Sequence, residues 1–333
     1  MFSNNHSKFY KYISSKKSIR NLKITLNDTE DKLIVDPKQI ANQFNTFFIS
    51  TYEATNFVST NINTSSDYEI IIITESHVKT ALKLLKNSSG TGIDKIPIFF
   101  WVQVCDSVAK FLSKLFKSCI ANKELPADWN IAIVHPLFKG KGSRLSTTNY
   151  RPISILNSLR RIFEAIIYTM IKDKLEPRIA KCQYGFKEKS STMSNLLYTY
   201  SLVYSSIEKH REVDIITIDF NKAFDKIDHT ILLMKLSNYI PSGFLNIISL
   251  LLLNRRQVVQ IEDSLSEALF VTSGIPQGSI LSPLLFNLFM NDLFDIRLYN
   301  FIVAYADDLK NLWLWIRIFT SRSWKNHTMV KKQ

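Results

Sequence analysis

Phe301-Ile302-Val303-Ala304-Tyr305-Ala306-Asp307-Asp308 joins an apolar, strand-like run to two adjacent carboxylates. Side by side, two like charges repel. Such a pair is kept where a cation neutralises it. For hard oxygen ligands that cation is most often Mg²⁺, which takes one or two protein carboxylates and completes its shell with water and phosphate oxygens. An isolated pair of this kind equally suits a solvated β-hairpin turn, because Asp favours turns. A third carboxylate and a phosphate-bearing substrate would separate the two readings.

Asp219 is the third carboxylate. It ends the run Asp214-Ile215-Ile216-Thr217-Ile218, within a segment from Val213 to Phe220 that reads as a buried strand in the core of a sheet. Paired beside a strand-turn-strand at 299–316, that strand would bring Asp219 to Asp307 and Asp308. Three carboxylates at strand ends would hold two Mg²⁺ ions, which clamp the attacking and leaving oxygens of an in-line phosphoryl transfer. Taken alone, Asp219 serves equally well as a strand terminator or a helix cap.

The bulk properties narrow the partners. The 333 residues are 46% hydrophobic and 21% charged, enough for a sizeable core and against global disorder. Lys and Arg number 42 against 29 Asp and Glu, a net charge of +13 that favours a polyanion, either nucleic acid or an acidic membrane surface. Three dispersed cysteines without a CxxC spacing speak against zinc and against a secreted disulfide framework. The N-terminus lacks the apolar core of a secretory signal. The longest apolar stretches, such as Ile247 to Leu253, are too short to span a bilayer. An intracellular protein of the nucleus or cytoplasm is expected, not secreted and not membrane-bound.

Periodicity predicts helices over 36–50, from Thr74 onward, over 104–119, 153–176, 191–210, 228–238, 241–253 and 280–293. Strands are expected at 129–138, 213–220, 256–261, 267–273 and in the 299–316 hairpin. Strands separated by long helices give an α+β fold.

Several blocks share their wording with one family. Asp219-Phe220-Asn221-Lys222-Ala223-Phe224-Asp225-Lys226-Ile227-Asp228-His229 resembles the first palm motif of reverse transcriptases, in the form used by non-LTR (LINE-type, jockey-like) retrotransposons. Gly274-Ile275-Pro276-Gln277-Gly278-Ser279, continuing to Asn287, resembles the second palm motif, and Tyr305-Ala306-Asp307-Asp308 the third. Asn149-Tyr150-Arg151-Pro152-Ile153-Ser154 and Gln183-Tyr184-Gly185-Phe186 look like finger motifs, and Ser89-Gly90-Thr91-Gly92-Ile93-Asp94-Lys95-Ile96-Pro97 like a block upstream of them. The resemblance runs from about Ser7 to Lys310.

It implies RNA-directed DNA polymerase activity on a right-hand fold, with fingers, a palm built on an antiparallel sheet, and no thumb. Asp219, Asp307 and Asp308 would be the catalytic, metal-binding carboxylates for two Mg²⁺ ions, with Mn²⁺ as a substitute. Phe224 would be the steric gate that excludes a 2′-hydroxyl. Phe220, Gln277, Gly278, Arg151 and Lys139 would meet the incoming dNTP, although Lys139 equally suits a solvated surface. Lys141, Arg144, Lys187, Arg255 and Arg256 would neutralise phosphates of an RNA template and DNA primer, although any one basic run is more ordinarily a solvated face. The expected organisation is a partly disordered N-terminal extension (1–74), an upstream helical region (75–117) and a reverse transcriptase domain (118–333) truncated after the hairpin. Asn311 to Gln333, with Trp313, Trp315 and Trp324, does not resemble the family's continuation.

Overall fold

The computed structural model describes residues 24–27, 32–53, 71–85, 90–295 and 300–316. Expectations for the first 23 residues, for Ser89 and for the tail beyond 316, with Trp324, lie outside them. The chain divides into two compact units, one of Met1–Met170 with Phe224–Ser282, the other of Ile171–Ala223 with Pro283–Gln333.

In the first unit a short ladder of β1 (Leu26–Asn27) and β2 (Leu33–Ile34) precedes helix α1 (Pro37–Ile49). Asp36 caps α1 by accepting from the Gln39 N–H at 2.8 Å, and Pro37 fills the first turn, where no amide is needed. One face of α1 places Ile40, Ala41, Phe44 and Phe48 in a core shared with Val134, Tyr150, Val259 and Ile261. Residues expected to form a separate extension therefore complete the first unit, because four apolar side chains on one helical face need a partner surface.

Helix α2 (Glu75–Leu85) buries Val78, Ala81, Leu82 and Leu85 and packs on α4 (Cys105–Asn122), with the short α3 (Ile98–Gln103) between them in sequence. Strands β3 (Ile131–Phe138) and β4 (Tyr150–Ile155) pair antiparallel. On its other edge β3 pairs parallel with β6 (Arg256–Ile261), which also takes β7 (Ser264–Leu265) and β8 (Leu269–Phe270). The expected helix from 153 begins later, as α5 (Ser158–Leu175). The residues up to 155 are held in register on β3, and the helix starts where Asn157 accepts from the Leu159 N–H at 2.9 Å and Asp94 from the Ser158 N–H at 2.8 Å. The upstream block thus serves as a helix cap. Gly92 permits it, since a Cβ there would stand 2.5 Å from the Leu156 carbonyl oxygen. Helices α7 (His229–Leu236) and α8 (Ser242–Leu252) pack on each other.

The second unit holds α6 (Thr192–Glu208), β5 (Arg211–Asp219), α9 (Ser282–Phe289), β9 (Asn300–Tyr305) and β10 (Asp308–Ile316). Its three strands form an antiparallel sheet in the order β5-β10-β9, and α6 packs on β5 and β9. Here one expectation fails. β5 is an edge strand, not a buried one. Eight of its nine residues are exposed, with Ile216 50% accessible. Its apolar composition reads as burial on both faces, yet among the described residues it pairs only through β10. Among the described residues no helix is long and apolar enough to cross a membrane.

Candidate active site

The tip of the β9–β10 hairpin carries the acidic pair. Ala306 and Asp307 form its two-residue turn, between the paired residues Tyr305 and Asp308. Two-residue hairpins need positive φ in the turn to match the strand twist, and Ala306 supplies it at φ 55°. Asp219, the last residue of β5, lies directly opposite Asp308 in the register of β10. Directly opposite residues project to the same face of a sheet, so these two exposed carboxylates stand together with Asp307 one residue away in the turn. Among the described residues no three His, Cys, Asp or Glu side chains converge on a common point. A two-carboxylate set still fits Mg²⁺, which is ordinarily held by one or two carboxylates, with water and substrate phosphates filling its octahedron.

The turn rests on a second segment of the same unit. Main-chain bonds join Tyr184 N–H to the Ala304 carbonyl and Ala304 N–H to the Cys182 carbonyl, each at 2.9 Å. The Gln183 carboxamide then spans Ala306. Its Oε1 accepts from the Ala306 N–H at 2.9 Å, and its Nε2 donates to the Ala306 carbonyl at 3.1 Å. Gly185 is pressed against the turn, where a Cβ would fall 2.1 Å from the Ala306 nitrogen. This segment was expected among the fingers; its bonds go to the carboxylate hairpin. Only the glycine hinted at so close an approach.

The first unit carries the other nucleotide-site candidates. The loop from Ser273 to Ser279 is fastened to the turn after Ala223. Ile275 N–H donates to the Phe224 carbonyl at 2.9 Å, Ser273 Oγ to the Asp225 carbonyl at 2.7 Å, and Gln277 Nε2 to the Asp225 carboxylate at 2.9 Å. Phe224 itself is half-buried. Asp225, unremarked in the sequence reading, is buried and receives the Gln277 amide that was expected to face a nucleotide. Gly278 was read as a close approach to a ligand. Its need for glycine is met within the protein: its φ is 132°, and a Cβ would lie 2.3 Å from the Ser154 carbonyl oxygen. A buried ion pair braces the same loop. Arg160 holds Glu164 at 2.9 Å, and Glu164 accepts from Ser279 Oγ at 2.6 Å.

The proposed phosphate contacts sort themselves by exposure. Lys139, Lys141, Arg144, Arg151 and Arg256 are exposed and Lys187 is half-buried. Lys139 Nζ donates to the Thr148 carbonyl at 2.8 Å, and Arg144 and Arg256 lie over the rings of Phe138 and Phe270. Arg255 is the exception and corrects the sequence reading. It is 6% exposed, and its guanidinium donates to the carbonyls of Leu252 at 3.0 Å, Ser273 at 2.9 Å and Gly274 at 2.5 Å. A side chain so enclosed does not meet phosphate from solvent. Burial pushes its pKa down to about 10, so it stays charged at neutral pH. Beside it, His229 Nε2 donates to the Gly274 carbonyl at 2.8 Å. Burial first, then the Arg255 charge, pushes this imidazole down to about 4.

The profile of the reverse transcriptase (RNA-dependent DNA polymerase) family matches residues 139–311, more than half of the chain. The chain belongs to the reverse transcriptase family. This reverse transcriptase is 26% identical over 250 residues to a probable RNA-directed DNA polymerase from transposon BS of Drosophila melanogaster, which covers 70% of this chain and 27% of that protein. It is 25% identical to the RNA-directed DNA polymerase from mobile element jockey of Drosophila funebris, over 71% of this chain and 27% of the relative. The LINE-type, jockey-like resemblance is borne out. The chain spans about a quarter of the length of these relatives. Among solved structures it is similar to an apo telomerase from Candida tropicalis, truncated from its C-terminal domain, with a TM-score of 0.42 and 10% identity over 62% of this chain and 48% of that one. Reverse transcriptases as a family use divalent metal ions and bind nucleic acid, and the mixed α/β content of this one suits a polymerase fold.

Proposed function

We propose that the chain is the polymerase module of a non-LTR retrotransposon reverse transcriptase, extending a DNA primer on an RNA template with dNTPs. The observation that carries this reading is the register of Asp219 opposite Asp308, beside Asp307, at the end of a three-stranded antiparallel sheet. That sheet corresponds to the palm, and the first unit's sheet and helices to the fingers. Asp219, Asp307 and Asp308 would hold the divalent cations. When bound, two Mg²⁺ ions, or Mn²⁺ in their place, supply charge stabilisation to the oxygens of phosphoryl transfer.

The protein's own residues do the positioning. The Phe224 backbone is fixed by Ile275, so its ring can act as a wall that a ribose 2′-hydroxyl would strike. Gln277 and Gly278, on the loop fastened beside Phe224, are proposed as nucleotide contacts with it, and Phe220 as another. Exposed Arg151 and Lys139 offer cations to a triphosphate, as charge-assisted donors. Lys141, Arg144, Lys187 and Arg256 offer them to template and primer.

Primer extension on an RNA template by the full chain tests the reading. Wild-type protein should add dNTPs in Mg²⁺, and Asp307→Asn should lower the rate by about 10³-fold with primer-template affinity retained. A clean, folded preparation that binds primer-template yet extends nothing, with binding unchanged in Asp307→Asn, would instead identify a non-catalytic nucleic-acid-binding remnant.

A further inference from the structure

Ala306 is in an unfavourable position for an alanine. Left-handed backbone brings Cβ close to the following carbonyl and is disfavoured for a non-glycine residue. Such conformations persist where the surroundings over-determine them. Ala306 is also buried, at 7% exposure, while its amide and carbonyl sit in a turn, beyond the hydrogen-bond ladder of the strands. Gln183, 1% exposed, satisfies both groups with one carboxamide, which acts as a single rung of an absent neighbouring strand. The carboxamide is itself locked, since its Oε1 also accepts from the Gly185 N–H at 2.8 Å. The Gly185 carbonyl in turn accepts from Asn287 Nδ2 at 2.9 Å. Asn287 is fully buried on α9. The bracket therefore runs from the interior of the second unit to the one strained residue of the turn. The next two residues are the acidic pair.

We propose that Gln183 is a positioning residue for the metal-binding carboxylates: its carboxamide fixes the left-handed Ala306 turn and so sets where Asp307 and Asp308 stand relative to Asp219. This rests on the polymerase reading of the same carboxylates. Gln183 touches no reacting group. Its carboxamide reaches the carboxylates through the main chain of Ala306, the residue before Asp307, which distinguishes it from a residue that merely stabilises the sheet. Asn195 provides the contrast. Its Nδ2 donates to the Ala304 carbonyl at 3.0 Å, on the same strand but two residues before the turn.

The test uses the full chain and three readouts. These are Mn²⁺ affinity by electron paramagnetic resonance of the free ion, hydrogen exchange at the Ala306 amide, and thermal melting. In Gln183→Met, which keeps the volume and removes the two bonds to Ala306 together with the one from Gly185, the Ala306 amide should exchange at least about tenfold faster and the apparent Mn²⁺ dissociation constant should rise about tenfold. Asn195→Ala should lower the melting temperature and leave Mn²⁺ affinity within about twofold of wild type. If Gln183→Met does not melt cooperatively, Gln183→Asn carries the same expectations, because its amide is one methylene too short to span Ala306. In primer extension the Gln183 variants should lose kcat with the KM for primer-template unchanged. Unchanged Mn²⁺ affinity in the Gln183 variants overturns the proposal, as does an equal loss in Asn195→Ala or a wild-type chain with no saturable Mn²⁺ binding. A wild-type chain that binds Mn²⁺ but extends no primer overturns the polymerase reading instead and leaves the Gln183 comparison in force.

Discussion

His229 shows how a buried side chain ties this protein's stability to pH. It is enclosed at the start of α7, donates to the Gly274 carbonyl, and faces the permanently charged Arg255. Both burial and that charge disfavour the imidazolium, so its pKa falls from 6.5 to about 4 on folding. The unfolded chain then binds more protons than the folded one between those values. The stabilisation is fully present above pH 6.5 and is lost as pH falls toward 4. At about 1.4 kcal/mol per pH unit, the loss is on the order of 3 kcal/mol across that window. Chemical denaturation followed at pH 7, 5.5 and 4.5 should show wild-type stability declining along this course. His229→Gln retains a donor for Gly274 and does not titrate, so its profile should be flatter. The loop that begins at Gly274 also carries Gln277, so the same protonation would loosen the Gln277–Asp225 contact.

Among the elements, β5 combines apolar composition with exposure. Ile215, Ile216 and Ile218 are 47%, 50% and 38% accessible on a strand whose outer edge has no partner among the described residues. Unpaired edges rich in β-branched residues template pairing with other chains. Ile216→Lys should therefore raise the concentration at which light scattering detects self-association, with stability changed by no more than about 0.5 kcal/mol. The sequence places this strand correctly and its carboxylate too, because alternation and the terminal Asp are local signals. It does not reveal which strands flank β5, since edge or centre is decided by pairing with residues almost a hundred positions away. The hairpin, the start of α1 at Asp36 and most helix boundaries were legible for the same local reason. The short β7 and β8 in place of one longer strand, the burial of Arg255 and the Gln183 bracket were not. Each depends on distant backbone groups, and a charged or amide side chain looks alike in sequence whether it meets a carbonyl or a phosphate.

At the scale of the whole molecule the dominant physical fact is charge. A net +13 attracts any polyanion, and affinity for nucleic acid that rests on neutralised phosphates falls with salt as counterions are no longer released to advantage. The structure separates the cations able to take part from one that is not. Lys141 and Arg256 are exposed, whereas Arg255, adjacent in sequence to Arg256, is bound to three main-chain carbonyls. Each phosphate contact contributes about 0.7 to 0.9 to the slope of log affinity against log salt. Fluorescence anisotropy of a labelled primer-template, titrated at several salt concentrations, should therefore give a slope that drops by about one for Lys141→Gln and again for Arg256→Gln. Both variants should melt like wild type. Arg255→Gln should behave in the opposite way, because it strips hydrogen bonds from buried carbonyls and leaves His229 without its charged neighbour. Its melting temperature should fall clearly, with the salt slope of the remaining folded protein unchanged. A slope that responds to Arg255 and ignores Arg256 would mean that the nucleic acid reaches the protein by a different face.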